Sequence, residues 1–303
     1  GPRTQLQANA RFLTLDVNDI AGNLRASVQL QQKVGTLDRP YNFNLQYNYR
    51  ERLFNGSLGF QTVQDSFGLV VTSPVIPIGN TGINFNYQGG IQNIDASNQN
   101  NNIINLTRYQ GAAFLNKGFL LWQGQPLPAT PEEGLRYTPV PVLPFLQLTT
   151  GITGVASFYS NGDNQPSLSG SIGLQGQVGH FSRPYLDYTG FNITYSQGLR
   201  GGASPFLFDR FVDKQTLSFG ITQQIYGPIR LGFQTSLSLD NSSDISTDYF
   251  FEYSRRTYSI ILRYNSVLQI GSISFRISDF NWLGDPDPFA GTYIQPVIQG
   301  VTQ

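Results

Sequence analysis

The sequence predicts an all-β fold: an antiparallel up-and-down β-barrel of about 14 strands, within a range of about 12 to 16. Three observations lead to this prediction. Apolar and polar residues alternate along extended runs, turn-forming residues recur between the runs, and only 13% of the residues are charged. Helical periodicity is absent throughout the sequence.

The alternation is clearest between Tyr41 and Arg50, where odd-numbered residues are aromatic or Leu and even-numbered residues are Asn, Gln or Arg. The same period of two recurs in residues 168–178, 191–196 and 272–278. Residues two apart share one face of a strand. Each run therefore predicts a strand with one apolar and one polar face.

Turn signals separate these runs, and most runs approach the roughly 9–11 residues that a tilted membrane strand needs. The signals are rich in Gly, Asn, Asp, Pro and Ser, which favour tight turns. They lie at residues 19–22, 79–82, 161–164, 226–228 and 241–243. Single-chain outer-membrane barrels usually have an even number of strands.

A soluble β-sandwich or jelly roll is the alternative fold, because it also has one buried face per strand. Three features favour a transmembrane barrel instead. Many runs exceed the usual five or six residues of soluble strands, and the polar face has few Lys or Glu residues. Aromatic residues also cluster near strand ends, as interfacial girdles do; examples are Phe119, Trp122, Phe158 and Tyr159.

The chain divides into one barrel and two irregular segments. Gly1 and Pro2 are interpreted as the remnant of a protease site, and residues 3–282 as the barrel. Residues 125–144 contain six prolines, which cannot donate to a sheet ladder, so they predict a long loop within the barrel. Residues 283–303 form a C-terminal tail. We expect a mature fragment without its signal peptide, from which an upstream domain could also have been removed.

Composition argues against several classes of function. There is no Cys, so a disulfide, a thiolate metal site and a Cys nucleophile are ruled out. His180 is the single histidine, which excludes a multi-His metal site. Lys+Arg and Asp+Glu both number 19, so charge gives no case for nucleic acid as a partner. We expect no cofactor and no metal.

The hypothesis of an enzyme starts from His180 and Ser182, which would share one face of a strand. Asn192 follows ten residues after Ser182. Outer-membrane phospholipases use a His-x-Ser pair with a downstream Asn. The prediction favours a structural role, because His and Ser often meet two apart by chance in a Ser-rich chain. The acidic pairs Glu132-Glu133 and Asp285/Asp287 are interpreted as solvated loop charges. We expect no enzyme activity.

Arginines on the strands are candidates for the barrel interior, since an Arg facing lipid at the midplane costs about 2–4 kcal/mol. We expect them to face the lumen or the rim, where they would pair with acidic residues or meet an anionic substrate. The candidate lumen charges are Arg255, Arg256, Arg263, Asp187 and Asp209.

The last third of the chain resembles the cyanobacterial LptD-like (OstA-type) outer-membrane β-barrel family. The stretches that carry the resemblance are GHFSRPYLDYT at 179–189, SPFLFDR at 204–210, QQIYGP at 223–228, YSRRTY at 253–258 and RISDFNW at 276–282. Proteobacterial relatives have a larger barrel and disulfides to a periplasmic domain, whereas this chain has no Cys.

The resemblance implies a translocon that inserts lipopolysaccharide into the outer leaflet, in the outer membrane of a diderm bacterium such as a cyanobacterium. Its partners would be lipopolysaccharide, outer-membrane lipid and a periplasmic Lpt bridge reached through an upstream domain. Lipid A would leave through a lateral seam between the first and last strands. The seam residues would be Phe12, Leu13, Leu15, Val17, Ile273, Phe275, Ile277 and Phe280.

Two other functions stay open at this point. The first is a passive porin for small solutes, with the Pro-rich loop folded inward as its constriction. The second is the phospholipase, which depends on Ser182.

Overall fold

A computed structural model describes most of the chain, and its described residues are dominated by β-strands. It describes residues 3–12, 24–36, 38–126, 143–179, 185–255, 257–277, 295–298 and 300–302. Among these, the only helical segment is a 3-10 turn at Gly56–Leu58. No helix in the described part of the chain is long and apolar enough to cross a membrane.

The described strands number seventeen. They are β1 (Thr4–Phe12), β2 (Leu24–Gly35), β3 (Pro40–Phe54), β4 (Phe60–Thr72), β5 (Ile76–Pro77), β6 (Ile83–Ser97), β7 (Ile103–Gln123), β8 (Phe145–Tyr159), β9 (Asn164–Gly179), β10 (Tyr188–Arg200), β11 (Gln215–Tyr226), β12 (Ile229–Ser238), β13 (Ser243–Ser254), β14 (Tyr258–Asn265), β15 (Ile270–Ile277), β16 (Gln295–Ile298) and β17 (Val301–Thr302).

Strands β1 to β15 form one antiparallel up-and-down sheet in chain order. The short β5 pairs with β6 beyond the end of β4, so β4 and β5 together occupy one strand position of the sheet. We call each such strand position a stave. The 15 sequential strands therefore form 14 staves. This confirms the predicted all-β, antiparallel up-and-down architecture. The Pro-rich segment falls between β7 and β8, and residues 127–142 of it lie outside the described residues.

The two faces of the sheet differ as the alternation predicted. Gln46 and Asn48 of β3 line an internal cavity, while Leu45 and Tyr47 between them are exposed on the other face. Nearly every stave carries such outward apolar residues, which are 37% to 80% exposed: Val28, Leu30, Leu45, Tyr47, Phe67, Leu69, Ile91, Tyr109, Ile152, Ile172, Ile193, Ile221, Leu231, Leu262 and Ile273. We call this set the outer apolar belt. The sheet thus has a polar inside and an apolar outside.

The sheet curves until its first and last staves face the same cavity. This cavity, of about 790 Å³, is lined by Gln7 and Asn9 of β1, by strands β2 to β7 other than β5, and by β13, β14 and Ser272 of β15. In the described residues no ladder pair joins β1 to β15. The fold is consistent with a barrel that has one unpaired junction.

The apolar core lies at one end of this barrel. The loop 201–214 between β10 and β11 folds inward there with Phe206 and Phe208, and Val297 of β16 joins them. They pack against inward residues of the wall, including Leu53 of β3 and Ile94 of β6. β16 pairs in parallel with the end of β3 and in antiparallel fashion with β17. We call the loop 201–214 together with β16 and β17 the plug, and the end it fills the plugged rim.

The close contact between a glycine and a phenylalanine on neighbouring strands gives a test of side-chain packing in the wall. Gly232 of β12 lies directly opposite Phe250 of β13, and a Cβ on Gly232 would stand 2.1 Å from that ring. Gly232→Ala should therefore displace Phe250 and lower the free energy of unfolding by about 1–3 kcal/mol. Gly111→Ala is the matched control, because a Cβ there meets nothing within 4 Å. Urea unfolding followed by tryptophan fluorescence measures both variants, and equal losses would contradict the packing.

Candidate lumen and seam

Neutral amide side chains form a large part of the wall of the lumen. β1 supplies Gln7 and Asn9, β2 supplies Gln29, and β3 supplies Asn44 and Gln46. They share one face because residues two apart on a strand point the same way. Amides both donate and accept hydrogen bonds, so these side chains can hold water or hydroxyl groups. The lumen is suited to binding or passing polar groups.

A buried ion pair fastens the plug to the wall. Arg108 of β7 donates to the Asp209 carboxylate of the loop at 2.8 Å, and the two side chains are only 2% and 0% exposed. Tyr159 donates to the same carboxylate at 2.9 Å, and Ser204 also donates to it. The second nitrogen of the guanidinium donates to Gln92. A buried pair is tolerated only when its remaining donors and acceptors are satisfied, and this network does much of that.

The same network reaches the C-terminal hairpin. The carbonyl of Gly300, between β16 and β17, accepts from Gln110 at 2.8 Å and from Arg108 at 3.4 Å. Gly300 has φ +86°, and a Cβ there would lie 2.7 Å from the Asp209 carbonyl oxygen, so the turn requires glycine. The side-chain amide of Gln165 donates to the backbone carbonyl of Asp209 at 3.0 Å. The loop and the hairpin are therefore held at one point of the wall.

The turn between β3 and β4 holds the loop from the other side. The amide of Asn55 donates to the carbonyls of Leu207 and Arg210, at 3.0 and 2.9 Å. The backbone N–H of Ser57 donates to the Asp213 carboxylate at 2.8 Å. These bonds join elements about 150 residues apart in the chain, and they hold the loop 201–214 to the turn between β3 and β4.

The junction between β1 and β15 is the least protected part of the wall. β1 pairs with β2 along its whole length, but residues 4–11 are all exposed. On β15, Ile273 is 80% exposed and Phe275 is 63% exposed. Within the described residues each of these strands has a ladder partner on one edge only. We call the facing edges of β1 and β15 the seam, and its backbone groups resemble those of an edge strand.

Half of the predicted seam residues fall in described strands. Phe12 ends β1, and Ile273, Phe275 and Ile277 lie on β15, whereas Leu13, Leu15, Val17 and Phe280 lie outside the described residues. The first described strand is Thr4–Phe12, N-terminal to the predicted strand at 12–17. Its outward residues include Ala8 and Ala10, and this weak apolar signal made the alternation easy to overlook.

The predicted lumen charges have different positions. Arg263 lines the cavity. Asp209 is the buried partner of Arg108, and Asp187 is also buried. Arg255 donates to the Tyr253 hydroxyl at 2.8 Å. Arg256 lies outside the described residues.

Most of the candidate catalytic residues from the sequence lie outside the described residues. Asn192 lies on β10, but His180 and Ser182 fall outside the described residues, as do Glu132, Glu133, Asp285 and Asp287. No group of three or more His, Cys, Asp or Glu side chains in the described ranges could hold a metal ion.

Sequence reasoning overlooked four arginines. Arg11, Arg25 and Arg52 line the cavity on neighbouring strands, and Arg108 anchors the plug. The alternation places Arg25 in phase with Ser27 and Gln29, which is a signal for an inward position. Their convergence depends on strand register, which the sequence does not show.

Removing one charge of the buried pair tests the plug. Asp209→Asn leaves the Arg108 guanidinium buried without its counter-charge. We expect this change to lower the free energy of unfolding by about 3–5 kcal/mol. We expect faster hydrogen exchange at Leu207, whose N–H bonds to Ser97, while β9 and β10 keep their protection. Asp163→Asn, in an exposed turn, is the control. Unchanged exchange at Leu207 in the Asp209 variant would show that the ion pair does not hold the plug.

Comparison with known proteins gives a family but no activity. No curated protein and no solved structure matches the chain. Residues 1–281 match the model of a family described as "Protein of unknown function (DUF3769)". The match covers nearly the whole barrel, and the chain therefore belongs to the DUF3769 family.

Proposed function

We propose that this protein is an outer-membrane barrel that delivers lipopolysaccharide to the outer leaflet through the seam between β1 and β15. The observation that carries the proposal is that seam: two strand edges without a ladder partner to each other in the described residues, beside a polar lumen. The resemblance to LptD-like barrels supports the substrate.

The outer apolar belt supports the membrane location. In water, contiguous exposed apolar surface on nearly every stave would be a strong aggregation liability. In a bilayer the same surface faces acyl chains, and the ladder satisfies the backbone groups that lipid cannot. The outward residues alternate with lumen residues along each strand, as they do in transmembrane barrels.

The lumen and the seam suit an amphipathic substrate. A sugar chain could hydrogen-bond to the amide wall formed by residues such as Gln7, Gln29 and Gln46. Acyl chains would gain nothing in that lumen, but they would lie well against the outward face of Ile273 and Phe275. A lateral opening between the two regions lets each part of the molecule stay in the environment it prefers.

The plug favours lateral release over passage along the barrel axis. The ion pair of Arg108 and Asp209 and the packed Phe206 occupy one rim. A passive porin needs a continuous aqueous path from rim to rim, and the plugged rim stands in that path. A substrate in the cavity would instead leave through the weakest part of the wall, which is the seam.

Photo-crosslinking in cells tests the export route. A benzoylphenylalanine probe at Leu6 of β1 or at Ile273 or Phe275 of β15 should form adducts with lipopolysaccharide, because substrate would pass these side chains. Ile193 is the matched control, since it is also outward and exposed but lies on β10, away from the seam.

Equal labelling at Ile193 and Ile273, or no labelling at either, would remove the seam from the mechanism. Planar-bilayer recording of the purified protein completes the test. A steady open conductance in the unmodified protein would favour the porin over the exporter, because the plugged rim should keep the resting barrel closed.

The membrane location predicts opposite costs for neighbouring residues of β3. Leu45→Arg places a charge in the outer apolar belt and should lower the free energy of unfolding in lipid vesicles by about 2–4 kcal/mol. Gln46→Arg puts the same side chain into the polar lumen and should cost much less. Denaturant titration of vesicle-inserted protein measures both. Equal costs would contradict an outer face that contacts lipid.

A further inference from the structure

We propose that the lumen wall formed by β1, β2 and β3 holds a binding site for a phosphorylated sugar, with Arg11, Arg25 and Arg52 as its anion-binding groups. The inference rests on the proposed export function for its biological meaning, because it names the part of the substrate that the lumen would hold.

Three arginines converge on this wall. Arg11 of β1 and Arg25 of β2 are direct cross-strand partners, and both line the cavity, as does Arg52 of β3. Arg11, Arg50 and Arg52 all lie close enough to Arg25 to repel its guanidinium. Like charges directly opposite each other on a sheet destabilise it. The protein thus keeps an arrangement that costs stability, as binding sites often do.

Within the described residues no carboxylate forms an ion pair with Arg11, Arg25 or Arg52, in contrast to Arg108 and Arg230. Arg108 is paired with Asp209 at 2.8 Å, and Arg230 is paired with Glu252 at 2.7 Å. Five arginines but only two acidic residues, Glu51 and Asp248, line the cavity. Three of the five arginines lie on β1, β2 and β3, where Glu51 is the one acidic lining residue, so positive charge predominates on this wall.

Guanidinium groups favour oxyanions as ligands. Their planar N–H fork matches the oxygens of phosphate or carboxylate and can make two parallel hydrogen bonds. The Arg52 guanidinium lies 3.8 Å from the centre of the Phe60 ring, which restricts its orientation. A tetrahedral phosphate can accept from guanidinium groups on more than one strand at once, whereas a planar carboxylate presents only two oxygens.

The surrounding amides indicate that the phosphate is carried on a sugar. Gln7, Asn9 and Gln29 line the cavity on the same strands as Arg11 and Arg25. Asn44 also lines it, and its buried side-chain oxygen accepts no hydrogen bond in the described structure. Hydroxyl groups of a sugar would donate to such oxygens and accept from the amide N–H groups.

The test is a binding measurement on the purified barrel in detergent, by calorimetry with glucose 6-phosphate, glucose and inorganic phosphate. We expect glucose 6-phosphate to bind at least about tenfold more tightly than glucose, since charge-assisted hydrogen bonds are the strong ones. Arg25→Gln should weaken that binding about tenfold or more. Arg39→Gln removes the same charge at an exposed bend outside the cavity. This variant should leave the binding of glucose 6-phosphate unchanged.

A second readout separates a binding role from a structural one. Because Arg25 is repelled by its neighbours, Arg25→Gln should raise the urea midpoint in buffer without phosphate, while Arg39→Gln should not. A lower midpoint for Arg25→Gln would mean that Arg25 supports the fold, and the site would be rejected. Absence of glucose 6-phosphate binding in the unmodified protein, or equal loss in both variants, would also reject it.

Lipid-borne and soluble sugars are distinguished by competition. Displacement of glucose 6-phosphate by lipopolysaccharide micelles would assign the site to the exported lipid, and binding without displacement would assign it to a soluble sugar phosphate. Lipopolysaccharide cross-links at the seam without any anion binding would overturn the phosphorylated-sugar site and leave the export route standing. Anion binding without seam cross-links would uphold the site and remove the export route.

Discussion

A polar interior is the constraint on which the rest of this structure depends. With the outer apolar belt turned outward, burial of apolar surface cannot hold most of the barrel together, so ladder hydrogen bonds and side-chain pairs must do so. Arg230 with Glu252 and Arg108 with Asp209 are buried pairs of this kind. Each keeps two charges out of water at a cost that only close partners offset. Where the described residues supply no such partner, as at Arg25, the interior keeps an unbalanced charge that the proposed ligand would offset.

The plug follows from the same constraint. One cluster of apolar inward residues, which includes Leu53 and Ile94, lies at the plugged rim. The loop 201–214 supplies Phe206 and Phe208, and the C-terminal hairpin supplies Val297. Apolar packing and the Arg108 ion pair therefore act on the same segment. In the proposed export route, a plug at one rim leaves the side wall as the exit, which is where the seam lies.

Sequence reasoning recovered the architecture where the alternation was strong and failed where contacts were distant. The aromatic alternation between Tyr41 and Arg50 predicted β3, whereas the alanines of β1 concealed the first strand. The run from Ser204 to Arg210 carried a family resemblance, and Asp209 within it was a candidate lumen charge. Its role in the plug depends on the pairing of Asp209 with Arg108, 101 residues earlier in the chain. Neither a period of two nor turn chemistry reports contacts across a lumen.

The unpaired charge and the unpaired edge meet on one strand. β1 carries Arg11 on its inner face opposite Arg25, and its other edge forms the seam. Repulsion between the two arginines weakens the attachment of β1 to β2, the only ladder that holds it in the described structure. A bound phosphate would reverse that repulsion and tighten β1 against β2. Charge at the lumen wall and hydrogen bonding at the seam therefore both act on the position of the same strand, and in the proposed export route an anionic substrate would act on β1 before it reached the seam.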